Sequence, residues 1–174
     1  MRILLVTGLS LAGCASSEPS VARSNLIPEA LRAPPGERLA LVARARGVQI
    51  YECRQAKDAD RFEWTFKAPE AELFGDAGEP MGRHYAGPTW EASDGSKVVG
   101  EVKAKDAGPD PHAIPWLLLS ARSANGAGLL GRVASIQRVE TVGGQAPTDG
   151  CSRERSGAIV RVDYRAKYRF YEPE

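Results

Sequence analysis

One short stretch concentrates the side chains able to do acid–base work. It runs Gly82-Arg83-His84-Tyr85-Ala86-Gly87-Pro88-Thr89-Trp90-Glu91, with Asp94 just beyond. His84 with Asp94 or Glu91 offers a proton donor and acceptor for general acid–base catalysis. His84, Tyr85 and Trp90, joined by Trp116 further along, offer an aromatic wall with a few polar groups, the usual lining of a ligand pocket. The same residues also read as a core tryptophan, a surface histidine and a turn aspartate, so no catalytic residue is assigned. No metal is expected. The two histidines, His84 and His112, stand in no H-E-x-x-H pattern and beside no second ligand at helical spacing. No nucleophile elbow of the G-x-S-x-G type is present. Gly126-Ala127-Gly128-Leu129-Leu130-Gly131 matches G-x-G-x-x-G. A dinucleotide fold needs that loop to join a strand directly to a helix. Here Ala121 to Asn125 intervene and no other βαβ unit is found, so a glycine-rich turn between strands is the reading and no cofactor is expected.

The cysteines speak to compartment. Arg2 precedes an apolar run, Ile3 to Leu11, which is far shorter than the roughly 20 residues a membrane span takes. A basic start, a short apolar segment and a small-residue end describe a secretory signal over residues 1–13, against the alternative of a buried strand or helix. The ending Leu11-Ala12-Gly13-Cys14 resembles the lipobox of bacterial lipoproteins. That resemblance implies cleavage before Cys14, lipid on its sulfur and new amino group, and a membrane as partner. Residues 14–23 then form a polar, Ser-rich tether. Cys53 and Cys151 are the remaining pair. In an exported chain one disulfide between them is the economical reading, with two free buried thiols as the alternative. Such a bridge would be worth about 4–5 kcal/mol by loop-closure entropy.

The elements that must position these residues are strands. Residues 24–174 suffice for one domain, with residues 24–36 as a lead-in carrying at most one helical turn. With 23 basic against 22 acidic residues the chain lacks the basic excess of a nucleic-acid binder. Residues 38–46 and 48–53 read as two β segments. Phe62, Trp64 and Phe66 alternate onto one face. Thr89 to Ala92 leads through Asp94-Gly95, a hairpin signal, to Lys97–Lys105, with Val98, Gly100, Val102 and Ala104 on one side. Residues 132–142 fit a helix face or a strand. The clearest strand is the last. From Ile159 to Phe170 it places Val160, Val162, Tyr164, Ala166, Tyr168 and Phe170 on one face, and Arg161, Arg165, Lys167 and Arg169 on the other. Twelve extended residues span about 40 Å, so a bend or bulge is expected. The basic face reads as a solvated surface, with an anionic partner as the alternative. Short strands between Gly/Pro turns predict an all-β fold, a single antiparallel sandwich or barrel.

Several stretches together resemble a family known only as a domain of unknown function, number 3455, found in bacterial exported proteins and in fungi. They are Gly47-x-Gln49-x-Tyr51-x-Cys53, His84-x-Ala86-Gly87-Pro88-x-Trp90 with Asp94-Gly95-Ser96, and Ile114-Pro115-Trp116-Leu117-Leu118. Ile136-Gln137-Arg138, Gly143-Gly144-x-Ala146-Pro147, Cys151 and Tyr164-x-Ala166-x-Tyr168-x-Phe170-Tyr171 complete the set. The resemblance covers about residues 25–171 and implies no activity or cofactor. Some fungal members carry a malate dehydrogenase label; the nucleotide fold it requires is missing from this sequence, and the label is not carried over. The sequence thus predicts a lipid-anchored protein of the bacterial cell envelope, facing the periplasm. Its leading role is a non-catalytic binding or structural module for a small molecule or envelope component. The alternative is a small envelope enzyme built on His84 and Asp94.

Overall fold

The computed structural model describes residues 27–57 and 60–174. The signal segment, Cys14 and the tether lie outside the described residues. The chain forms eight strands: β1 (Glu37–Gln55), β2 (Phe62–Phe74), β3 (Pro80–Tyr85), β4 (Thr89–Ala92), β5 (Lys97–Asp106), β6 (Trp116–Asn125), β7 (Ser135–Gly143) and β8 (Ile159–Pro173). Each pairs antiparallel with the next, and β8 pairs with β1, so the sheet closes into an up-and-down barrel. Closure removes the two edges that an open sheet must protect. Among the described residues no helix is long and apolar enough to cross a membrane.

Strand alternation decides what fills the barrel. On β8, Tyr164, Ala166, Tyr168 and Phe170 are buried while Arg161, Asp163 and Arg165 are exposed. On β1 the inward set is Ala43, Ala45, Gly47, Gln49, Tyr51 and Cys53, as the burial of its other members and the register with β8 require. Residues 38–53 therefore make one strand, not two. Gly47 is no break: a Cβ there would overlap the Glu70 carbonyl and Ala71 of β2, so glycine permits the two backbones to approach. The irregularity expected of β8 falls on its partners. One extra residue stands in β1 between Leu39 and Leu41, and another in β7 between Val139 and Val142, where Glu140 takes φ +51°. A bulge in the neighbour bends the pair as effectively as one in β8 itself. The segment 132–142 resolves as strand over Ser135–Gly143.

Two alternating faces depart from expectation. Phe66 is half-exposed, although Trp64 and Phe66 pair with inward Cys53 and Tyr51. The cause is length. Pairing of β2 to β3 begins only at Ala71, so the β1–β2 hairpin projects beyond the barrel. Its inner side is covered by the β7–β8 connection. The Trp64 indole donates to the Asp149 carbonyl (2.8 Å), and the Arg153 and Arg155 guanidinium groups lie over Phe62 and Trp64. The Tyr51 hydroxyl donates to the Gly144 carbonyl (2.6 Å). The Cys53–Cys151 disulfide, with Cα atoms 5.4 Å apart, fastens the same connection. The second departure is on β5, where an extra residue between Val102 and Ala104 breaks the phase. Val102 is half-exposed at the barrel mouth, and Ala104 packs outside.

That outer cluster holds Leu31, Trp116 and Val139, all buried. Leu31 ends a single 3-10 turn, Glu29–Leu31, and Gln137 Nε2 donates to its carbonyl (2.6 Å). The lead-in is thus a cover for the outside of β5, β6 and β7.

Candidate functional site

The two ends of the lumen differ. At the end of the β4–β5 and β6–β7 turns, Phe170, Ile136, Val98, Leu130 and Val133 fill the interior. The glycine-rich loop after β6 supplies Leu130. Asp94 holds it there: Asp94 accepts from Ser96 N (2.9 Å), Ser96 Oγ (2.6 Å) and Leu129 N (2.8 Å), and Ser96 Oγ accepts from Leu130 N (3.0 Å). These donors, first the Ser96 hydroxyl and then the Leu129 amide, lower the Asp94 pKa.

The other end contains a cavity of about 350 Å³. All eight strands line it. Gln49, Lys67, His84, Trp90, Arg138 and Tyr168 supply its polar groups, from β1, β2, β3, β4, β7 and β8. Phe66, Pro69, Val102, Leu117 and Leu119 supply apolar surface from β2, β5 and β6. The mouth lies beside the exposed turn Ala86-Gly87 and Pro88, flanked by half-exposed Phe66 and Val102.

His84 is 3 % exposed and stacks on Trp90, with ring centroids 4.4 Å apart and planes 13° from parallel. Tyr168 meets both rings edge-on at 5.2 and 5.3 Å. Gly100 makes room for the indole: a Cβ there would sit 2.9 Å from Trp90 Cζ3. His84 Nδ1 is 2.9 Å from the Thr89 carbonyl, an acceptor, so Nδ1 carries the proton and Nε2 keeps its lone pair. Burial, opposed by that hydrogen bond and reinforced by the Arg138 charge, lowers the His84 pKa to about 3. The ring is neutral at pH 7.

Arg138 donates through Nε and Nη2 to the Pro115 carbonyl, at 3.1 and 2.8 Å. Among the described residues it has no carboxylate partner, and no acidic side chain lines the cavity. Burial raises the pKa of Tyr51, Tyr164 and Tyr168, and the Arg138 charge acts against it in all three. The guanidinium is therefore felt throughout this end of the lumen.

The buried polar side chains elsewhere are satisfied. Thr89 donates to Ala86, Thr141 to Ile114 and Ser135 to Glu37, while Gln137 both donates and accepts. Two buried atoms among the described residues lack a partner, Gln49 Nε2 and Trp90 Nε1. Both residues line the cavity.

The structure brings together two of the four residues singled out as a pocket. His84 and Trp90 face the lumen; Tyr85 and Trp116 do not line it. Tyr85 lies on the outer face, donating to Glu91 (2.8 Å) beside Arg83, and Trp116 lies beneath the lead-in. Glu91 shares that outer face and accepts from Arg83 Nη2 (2.9 Å). Its pKa is lowered, by Tyr85 first and Arg83 second. Neither carboxylate is placed as a partner for His84: Glu91 is across the sheet, and Asp94 is in the turn at the filled end. Among the described residues no group of His, Cys, Asp and Glu is placed to hold a metal ion. Gln49 and Arg138 fall in stretches that carry the family resemblance but were not singled out as site residues. Their signal was available in alternation, since each is a polar residue at an inward position of a strand.

Residues 34–172 match the model of a family described as a protein of unknown function (DUF3455). The chain belongs to this family. The matched span takes in every strand but the last residue of β8, the disulfide and every residue lining the cavity. No curated protein and no solved structure matches the chain. The family description carries no activity, so the cavity must be read from its own chemistry.

Proposed function

We propose that this DUF3455 protein is a non-catalytic binding module that takes a small molecule into its barrel lumen, held at a bacterial cell envelope by lipid on Cys14. The observation that carries the binding reading is the cavity of about 350 Å³ lined by two buried donors without partners. A lumen meant only to be packed would be filled, because an unsatisfied buried polar group costs about 1–3 kcal/mol. An eight-stranded barrel has an interior just wide enough to be filled by side chains or to hold one small ligand, and here the two outcomes divide the lumen between them. The acid–base alternative draws no support from geometry. His84 is held neutral, stacked and bonded to a backbone carbonyl, with no carboxylate beside it.

The envelope assignment rests on Leu11-Ala12-Gly13-Cys14, and the disulfide is consistent with export. The binding reading is tested by screening a fragment library against the full chain while following the Trp90 indole resonance, assigned with a Trp90→Phe variant. Binders should shift that resonance, and a mouth-blocking Val102→Trp variant should abolish the shift. A library that leaves Trp90 and His84 unmoved would count against a binding lumen.

A further inference from the structure

We infer that the lumen ligand is a small carboxylate carrying an apolar body, its anionic group held by Arg138 and the donors of Gln49 and Trp90. The inference rests on the binding reading and names the ligand class for that same cavity. Charge comes first. Arg138 contributes a guanidinium with no carboxylate partner among the described residues, and the cavity lining contains no acid. The other cation at the mouth, Lys67, is already paired with Glu52 at 3.2 Å. A cationic ligand would meet an unopposed positive charge; an anionic one would supply the missing partner.

Hydrogen-bond inventory points the same way. An indole Nε1 only donates, and the unpartnered atom of Gln49 is its amide nitrogen. Together with Arg138 they make a set of donors that calls for an acceptor-rich group. A carboxylate has two oxygens and about four lone-pair sites; with the Nε/Nη2 edge of Arg138 taken by the Pro115 carbonyl, the Nη1/Nη2 edge is the fork left to bind it. Acceptors are present as well: the Gln49 amide oxygen and the Tyr168 hydroxyl belong to the same lining, and His84 keeps a free lone pair at Nε2. That lone pair suits a hydroxyl or N–H on the ligand body and does not call for a charge.

Size and surface then limit the body. A cavity of about 350 Å³ is near the lower end of ligand pockets, roughly 300–1,000 Å³. Pro69, Pro88, Leu117 and Leu119 line it, and half-exposed Phe66 and Val102 stand at its mouth. A phenyl ring or short branched chain matches these walls; a sugar or a dicarboxylate would leave its polar groups against them.

The test uses matched probes: benzoate, 3-phenylpropionate and 4-methylpentanoate, each beside its primary amide and its amine. They are titrated against the full chain, with the Trp90 indole resonance as readout. At least one carboxylate should bind tenfold or more tightly than its amide, and its amine should bind least. Arg138→Gln should erase that tenfold preference while leaving amide binding within about twofold. Arg138→Lys should restore part of it, which separates lost charge from a damaged fold. Amides or amines that shift Trp90 as strongly as the carboxylates would overturn the carboxylate class and leave the binding lumen standing. Carboxylate preference that survives Arg138→Gln would overturn the assigned anion site. Silence from all nine probes would overturn the class, and only silence from the wider fragment library would take the lumen with it.

Discussion

The lumen has two ends built from the same eight strands, and they solve opposite problems. At the filled end Phe170 packs against Ile136, its partner across β7 and β8, with Leu130 delivered by the glycine-rich loop as a plug. Every polar group that secures the plug is itself bonded, through Asp94 and Ser96. At the open end the inward positions turn polar, from Gln49 to His84 to Arg138, and the described structure leaves donors unmatched. Packing energy favours filling both ends. The difference teaches that the open end is under a second constraint, and stability must be supplied from elsewhere.

The largest effect expected from that contrast is at the filled end. Phe170→Ala should cost about 3–5 kcal/mol, because Phe170 is fully buried in the apolar cluster. Denaturant melts measure it. A loss below about 1 kcal/mol would mean that this end tolerates a void and is no better packed than the other.

His84 sharpens the contrast through pH. Its folded pKa of about 3 lies below the ordinary value of 6.5. Between those values the unfolded state binds the extra proton, so stability is complete above about pH 6.5 and falls as pH drops, until pH 3. The slope is about 1.4 kcal/mol per pH unit. Asp94, Glu91 and Glu52 also have lowered pKa values. Their loss begins below about pH 4.5, so the range from 6 to 5 belongs to the imidazole. His84→Asn keeps a donor for the Thr89 carbonyl and should flatten that range. A slope unchanged by the variant would show that His84 is solvated in solution and that the open end is wetter than described.

The third effect is local. Asp94→Ala should leave the strands in place and speed amide exchange at Leu129 and Leu130, whose N–H groups it organises directly or through Ser96. Exchange that stays slow would mean that Leu130 holds the plug by packing alone.

How much of this was legible follows from what a linear pattern records. Alternation marked β8 correctly, because Tyr164, Tyr168 and Phe170 are inward along its whole buried length. It set Phe62, Trp64 and Phe66 on one face too, but a pattern does not record that the β1–β2 hairpin outruns its neighbours. Sandwich and barrel share the same local signals, and only the pairing of β1 with β8 decides between them. The even cysteine pair gave the disulfide. At the site, His84 and Trp90 were visible as chemistry-bearing types in one hairpin. Tyr85 stood out for the same reason, yet one residue along a strand is the opposite face. Gln49 and Arg138 stand in stretches that carry the family resemblance, but nothing beside them in sequence marks them as a pair. They become a site only when the five strands set between them are wound into a ring.

The smallest effect is expected outside the lumen, at Arg165. Of the outward cations on β8, Arg161 pairs with Glu70 at 2.7 Å, and Lys167 and Arg169 both reach Glu140. Arg165 has no acidic partner among the described residues, and it stands opposite Arg46 of β1. Like charges facing each other across a ladder are mildly destabilising, so Arg165→Ala should change stability by less than about 0.5 kcal/mol, in the stabilising direction at low salt. Added salt should shrink the difference, since exposed charges are screened over about 10 Å at 0.1 M. Melts at two ionic strengths check both points. The comparison with Arg138 is then direct. Both guanidinium groups lack a carboxylate, but the one in water can be solvated and the one at the lumen mouth is only partly so. Arg138→Ala should remove the preference for carboxylates, whereas Arg165→Ala should leave ligand binding untouched. Equal effects of the two on binding would mean that the chain attracts anions by its general field, not by a site.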